Sequence, residues 1–365
     1  MQVPQVQQAP HLDVLIVGAG ISGISAAYHI QTRCPTRSYA ILEGRPRMGG
    51  TWDLFRYPGI RSDSDMYTLG YSFRPWTQPK AIADGPAILT YLCETAEAYG
   101  IDRKIRYGHR VERARWSSKD ARWTVEARDA TTGQLVELTC SFLFVCAGYY
   151  DYDEGYTPEL AGREKFRGRI VHPQQWTPDV EYEGKRVVVI GSGATAVTLV
   201  PELSRRAAHV TMLQRSPTYV VSLPARDRIA DWMRARLPSE SAYAVTRWKN
   251  VLFGMAFYAW SRRFPEQAKR FLVGQVKKAV KGKVDVATHF TPSYNPWDQR
   301  LCLVPDGDLF DTLREGRASV VTDHIDTFTE TGIRLRSGQE LEADLVVTAT
   351  CLKLKFLGGM HIEVD

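Results

Sequence analysis

The sequence predicts an α/β protein: two Rossmann-type dinucleotide-binding domains, the second carrying a helical insertion. Three observations lead there. Gly18-Ala19-Gly20-Ile21-Ser22-Gly23 and Gly191-Ser192-Gly193-Ala194-Thr195-Ala196 are glycine-rich signatures 173 positions apart in a chain of 365 residues. Each follows an apolar run, Val14-Leu15-Ile16-Val17 and Val187-Val188-Val189-Ile190, that suits a buried parallel strand. Each half closes on another such run, at Leu143-Phe144-Val145-Cys146-Ala147-Gly148 and at Leu345-Val346-Val347-Thr348-Ala349-Thr350-Cys351. The expected organisation is 1–150 as the N-terminal part of an FAD-binding domain and 151–352 as an NADPH-binding domain. Within the latter, about 217–315 is a helical insertion, and 353–365 begins a return to the first domain.

Taken in order, the first signature opens into a helical pattern after Gly23. Gly18 permits the tight turn, Gly20 lets backbone approach a pyrophosphate, and Gly23 lets helix pack on strand. The free N–H groups of the helix start, Ser22 among them, face phosphate. The next strand, Tyr39-Ala40-Ile41-Leu42, ends at Glu43, where a ribose-binding carboxylate belongs. This site therefore reads as FAD. A small β-meander is expected around Val111-Glu112-Arg113-Ala114 and Arg122-Trp123-Thr124-Val125-Glu126, followed by a linker rich in Tyr, Asp and Gly at 149–156.

The second signature has Ala196 in the third position, which the pattern permits. Its following strand leads to Gln214-Arg215-Ser216 rather than to an acid. A guanidinium suits a 2′-phosphate that a carboxylate would repel, so Arg215 and Ser216 point to NADPH. The alternative for Arg215 is a solvated surface arginine. Cys351 stands where the first half has Gly148, and a side chain there would resist a positive φ or a close backbone approach.

Composition narrows the class. Hydrophobic residues make up 44% and charged residues 24%, as in an ordinary soluble protein. The net charge of +6 fits an anionic cofactor, and no basic stripe interleaved with aromatics argues for nucleic acid. Six cysteines without C-x-x-C or metal-ligand spacing read as reduced thiols of a cytoplasmic protein with no metal site. The polar start at 1–8 lacks a signal-peptide core. The apolar run 251–260 is too short to span a bilayer and is flanked by Arg247, Lys249, Arg262 and Arg263. It is expected to be a packing helix. Peripheral membrane contact or an apolar substrate entrance is the alternative.

Two nucleotides held together imply electron transfer between nicotinamide and flavin. A disulfide reductase would need a cysteine pair after the first βαβ unit, and Gly49-Gly50-Thr51-Trp52-Asp53-Leu54-Phe55-Arg56-Tyr57-Pro58-Gly59 contains none. Between the signatures lies Phe166-Arg167-Gly168-Arg169-Ile170-Val171-His172-Pro173-Gln174-Gln175-Trp176. Phe166, Gly168, His172 and Trp176 resemble the fixed positions of the Baeyer–Villiger monooxygenase fingerprint. Gly49-Gly50-Thr51-Trp52 and Arg56-Tyr57-Pro58-Gly59 also resemble that family of class B flavoprotein monooxygenases. Thr177 departs from the usual Pro or Asp after the fingerprint.

The resemblance implies an NADPH- and O2-dependent enzyme that forms a C4a-peroxyflavin and inserts oxygen into ketones or oxygenates sulfur compounds. It puts Thr51, Trp52, Asp53, Asp63 and Val111 among the cofactor-binding residues. It makes Arg300, in Asp298-Gln299-Arg300, the active-site cation, with Asp63 as its ion-pair partner. Gln299 replaces the more usual lysine. Family members continue past residue 365, so the chain is expected to be C-terminally truncated. Two other readings stay open: a flavin-containing monooxygenase of soft N or S atoms, and an inactive nucleotide-binding remnant. The fingerprint itself could be structural, with His172 and Trp176 fixing a linker.

Overall fold

The computed structural model describes residues 9–365, so the polar start at 1–8 lies outside the described residues. The chain divides into two compact units. The first comprises Met1–Leu54, Pro86–Glu154 and Leu352–Asp365, the second Phe55–Gly85 and Gly155–Cys351.

In the first unit, His11–Val17, Tyr39–Glu43 and Ile105–Tyr107 form the parallel side of a seven-stranded sheet. Leu15 and Ile16 are fully buried, as a strand covered on both faces requires. Helix Ile21–Arg33 crosses over between the first two strands. The strand Leu135–Val145 serves two partners. Its first part pairs antiparallel with Arg122–Asp129, and its later part pairs parallel with His11–Val17. The last strand of the meander and the closing apolar run are therefore one continuous strand. His361–Val364 completes the sheet beside His109–Ser117.

In the second unit, five parallel strands stand in the order Ala318–Thr322, His209–Gln214, Arg186–Ile190, Leu345–Thr348, Arg169–Val171. Helix Ala194–Leu203 follows the second glycine signature. A three-stranded meander spans Ile325–Phe328, Gly332–Leu335 and Glu340–Glu342. The insertion is mostly helical, with Arg228–Arg234, Ser239–Arg263, Pro265–Val280 and Val286–His289. It also contains a parallel pair, Tyr219–Leu223 and Leu301–Pro305.

Two expectations need correction. The single run 1–150 is interrupted, because Phe55–Gly85 clusters with the second unit. Gly59, at φ +76°, lies against Glu202 of helix Ala194–Leu203, and Arg61 forms a two-pronged ion pair with Asp308 at 2.5 and 3.3 Å. The apolar run 251–260 is not a buried packing helix. It lies in helix Ser239–Arg263, whose buried residues are Ala242, Tyr243, Thr246 and Ser261, all outside the run. Leu252, Phe253, Met255 and Tyr258 are more than half exposed. No helix among the described residues is long and apolar enough to cross a membrane.

Candidate active site

The first glycine loop borders a cavity of about 640 Å3 that lies wholly within the first unit. Gly18, Gly20, Ser22, Glu43, Thr51, Trp52 and Val111 line it. The glycines are needed for different reasons. A Cβ on Gly18, at φ +100°, would stand 2.5 Å from the Cys146 carbonyl oxygen, and one on Gly23 would stand 1.9 Å from the Gly18 oxygen. A Cβ on Gly20 meets nothing closer than 3.7 Å within the chain. Gly20 therefore keeps space free at the start of helix Ile21–Arg33, where N–H groups and the helix dipole favour a phosphate. The volume and this cradle fit FAD.

Glu43 is buried, and its carboxylate accepts from the backbone N–H of Ala19 at 2.8 Å and of Arg45 at 3.0 Å. Each oxygen keeps a lone pair for a ribose hydroxyl. Asp53 does not line the cavity. It is buried beneath, with Arg45 at 2.6 Å and Arg47 at 3.0 Å. It meets the cavity by way of Arg45, a lining residue that sequence reasoning missed. Arg45 also lies over the ring of Tyr152, whose hydroxyl is 3.4 Å from Thr51 Oγ1. Burial pushes the Tyr152 pKa up, which keeps the phenol neutral. Arg110 and Lys355, both paired with Asp153, complete the basic lining.

The second glycine loop has the same construction. Gly191 sits at φ +138°, and its Cβ would stand 2.3 Å from the Ala349 carbonyl oxygen, just as Gly18 faces Cys146. Helix Ala194–Leu203 is capped by Gly193, and Ala196 is fully buried. Ser192 Oγ lies 2.8 Å from Thr218 Oγ1, and Thr195 shares a hydrogen bond with the buried Tyr57 hydroxyl. Burial pushes the Tyr57 pKa up to about 12. At the next strand end Gln214 is buried and bonded to the His289 carbonyl and Thr322, whereas Arg215 and Ser216 are exposed. Arg215 has no hydrogen bond or ion pair among the described residues. The loop and this free guanidinium fit a phosphorylated dinucleotide. Cys351 needs no positive φ: Gly148 has φ +73°, but Cys351 is not a positive-φ residue.

Arg300 lies over this loop. Its Nη1 is 2.8 Å from the position a Cβ on Gly193 would take, and its Nη2 is 3.5 Å from Cys351 Sγ. Tyr294 donates to its carbonyl at 2.9 Å. The expected ion pair with Asp63 is not formed, because the guanidinium is turned towards Gly193 and Cys351. Asp63 is exposed, belongs to the second unit, and does not line the first unit's cavity. The two charges still act on a common neighbour, Cys302. Burial pushes its thiol up to about 11, Arg300 pulls it down, and Asp63 pushes it up.

The four fingerprint residues are packed. Phe166 meets Phe328 edge-on at 5.9 Å, and a Cβ on Gly168 would strike the Phe166 ring at 2.4 Å. Trp176 is buried against Tyr182. His172 Nδ1 accepts from the Gln174 N–H at 3.2 Å, and its Nε2 lies 3.1 Å from the Cys351 carbonyl oxygen. These two bonds together select the neutral Nε2–H tautomer. Burial holds the His172 pKa below the usual histidine value, against the opposing pull of the Cys351 carbonyl.

Residues 16–79 match the NAD(P)-binding Rossmann-like domain, and residues 78–255 match the flavin-binding monooxygenase-like family. The chain is 59% identical over 356 residues to the FAD-containing monooxygenase EthA of Mycobacterium tuberculosis, covering 97% of this chain and 72% of that one. The chain belongs to the FAD-containing monooxygenases. This monooxygenase is also 56% identical over 361 residues to EthA of Mycolicibacterium smegmatis, covering 97% and 73% of the two chains. Among solved structures it is similar to a steroid monooxygenase bound to NADP, with TM-score 0.77 and 28% identity over 96% of this chain and 73% of that one. Membership of this family gives FAD as its cofactor.

Proposed function

We propose that the monooxygenase performs Baeyer–Villiger oxygenation of small ketones to esters or lactones, and oxygenates sulfur compounds by the same route. FAD bound in the first unit, with NADPH and O2, supplies the chemistry: one oxygen atom enters the substrate, the other leaves as water, and NADPH with a proton provides two electrons. The residues of this chain bind, orient and stabilise. Gly18, Gly20 and the first helix start hold the FAD pyrophosphate, and Glu43 takes a ribose hydroxyl. Gly191, Gly193 and the second helix start hold NADPH, and Arg215 takes its 2′-phosphate. Arg300 supplies a permanent positive charge for the negative oxygen that develops when a ketone carbonyl is attacked.

The observation that carries this reading is the state of Arg300. It projects over the second nucleotide loop and has no carboxylate within ion-pair distance among the described residues. A guanidinium left unneutralised beside a nucleotide loop suits a charge that appears only during reaction. The similarity to a steroid monooxygenase bound to NADP supports the nicotinamide part of the reading. Arg300→Ala tests it, with a cyclic ketone and a thioether as substrates and NADPH consumption, oxygenated product and hydrogen peroxide measured together. Product formation at the parent rate would remove Arg300 from the mechanism.

A further inference from the structure

We propose that the exposed face of helix Ser239–Arg263 seats the enzyme on an anionic lipid surface. From 250 to 261 this helix carries no charged residue, although most of its side chains there face solvent. That stretch is about 18 Å long at 1.5 Å per residue. Trp248, Leu252, Phe253 and Met255 are 63%, 58%, 66% and 63% exposed. An exposed apolar helix face of this length marks an interaction surface rather than ordinary solvent exposure.

Charge identifies the partner. Residues 239–283 contain ten Lys and Arg against two Asp and Glu, a net of +8 in a chain whose total is +6. On the neighbouring helix and the turn after it, Lys269, Arg270, Lys277, Lys278, Lys281 and Lys283 have no carboxylate partner among the described residues. An apolar face flanked by unneutralised cations fits the acyl boundary and headgroups of an anionic bilayer. A second copy of this chain would bring like charge against like charge, which disfavours self-association through this face.

The seat also joins the loop that carries Arg300. Trp297 stands edge-on to Tyr258 at 5.7 Å and to Phe257 at 6.3 Å, and Asp298 forms an ion pair with Arg262. Trp297 holds φ +72°, a strained value for a bulky residue, so the packing around it is what keeps the loop in place.

Co-sedimentation of the full chain with vesicles tests the proposal, using equal parts phosphatidylglycerol and phosphatidylcholine against phosphatidylcholine alone. Binding is expected to be at least about tenfold stronger to the anionic vesicles and to weaken as salt rises. The triple variant Leu252→Ser, Phe253→Ser, Met255→Ser changes exposed side chains only, so its melting temperature should match the parent while vesicle binding falls about tenfold or more. Lys277→Glu with Lys278→Glu tests the charge separately and should weaken anionic binding alone. Absent binding to anionic vesicles would overturn the proposal, as would unchanged binding by the triple variant. So would sedimentation velocity that shows the triple variant converting an oligomer to a monomer while the parent ignores vesicles, because the face would then join copies of the chain.

Discussion

The ring of His172 occupies the place where a Cβ on Gly155 would stand, with Cε1, Nδ1 and Nε2 only 2.0, 2.3 and 2.4 Å from that position. The same ring bonds the Cys351 carbonyl. One fingerprint histidine thus touches both ends of the segment Gly155–Cys351, where the chain enters and leaves the second unit's main body.

Gly155→Ala should therefore displace a buried ring and cost about 1–3 kcal/mol, as overpacking does. A thermal melt checks this. The pH dependence has a definite sign. Burial holds the folded pKa of His172 below its unfolded value of about 6.5. The stabilisation it provides is therefore complete above that value and is lost as pH falls through the depressed folded value. Between pH 7 and 5 the parent should lose more melting temperature than His172→Gln, which has no such proton to gain. Equal losses would remove His172 as the source.

Gly20 and Gly23 should separate binding from folding. A Cβ at Gly20 has room within the chain, so Gly20→Ala should melt like the parent yet purify colourless, its methyl standing where the pyrophosphate approaches. A Cβ at Gly23 falls 1.9 Å from a backbone oxygen, so Gly23→Ala should lose stability with or without flavin. A yellow Gly20→Ala at parent occupancy would misplace the FAD site.

Arg215→Ala should raise the KM for NADPH and leave NADH kinetics nearly unchanged. A charge-assisted hydrogen bond corresponds to a preference of roughly ten- to a hundredfold. Steady-state kinetics with both nucleotides reads this directly, and equal damage to both would make Arg215 structural.

Arg300→Ala should retain FAD and still oxidise NADPH, while the yield of ester or sulfoxide falls by roughly 10²–10³, as for other preorganised charges removed from a reacting oxygen. The electrons should appear as hydrogen peroxide. Asp63→Ala should be milder, since Asp63 does not contact the guanidinium.

Asp53→Ala removes a buried carboxylate that two arginines share. The arginines left behind reach solvent, Arg47 most of all, so the loss is that of charge-assisted hydrogen bonds, about 1.5–3 kcal/mol. Here Arg45 would also lose its anchor at the cavity, so FAD affinity should fall together with the melting temperature. A colour titration alongside the melt separates the two effects.

Both glycine loops were legible because their function depends on local spacing. A turn, a helix start and a strand end must lie within about thirty residues of one another. Glu43 was found by that spacing, but Arg45, two positions on, was passed over because no motif calls for it. The excursion Phe55–Gly85 left no local sign. Its anchors, Thr195 for Tyr57 and Asp308 for Arg61, lie far along the chain, where pattern cannot reach. The run 251–260 was misread because a helix apolar on all sides is usually buried. The missing Asp63–Arg300 contact is a matter of where a long side chain turns, which spacing does not determine.

The order in which the strands of the first unit are made has a consequence for synthesis. Strand His109–Ser117 acquires its parallel neighbour only when His361–Val364 arrives. Roughly 240 residues emerge between them, about 12–50 s of translation at 5–20 residues per second. Throughout that interval a nine-residue strand presents an unpaired edge while Gly155–Cys351, the larger part of the second unit, is being made. Slowing the ribosome across this interval should raise the insoluble fraction, and lending the nascent chain a chaperone that covers strand edges should lower it.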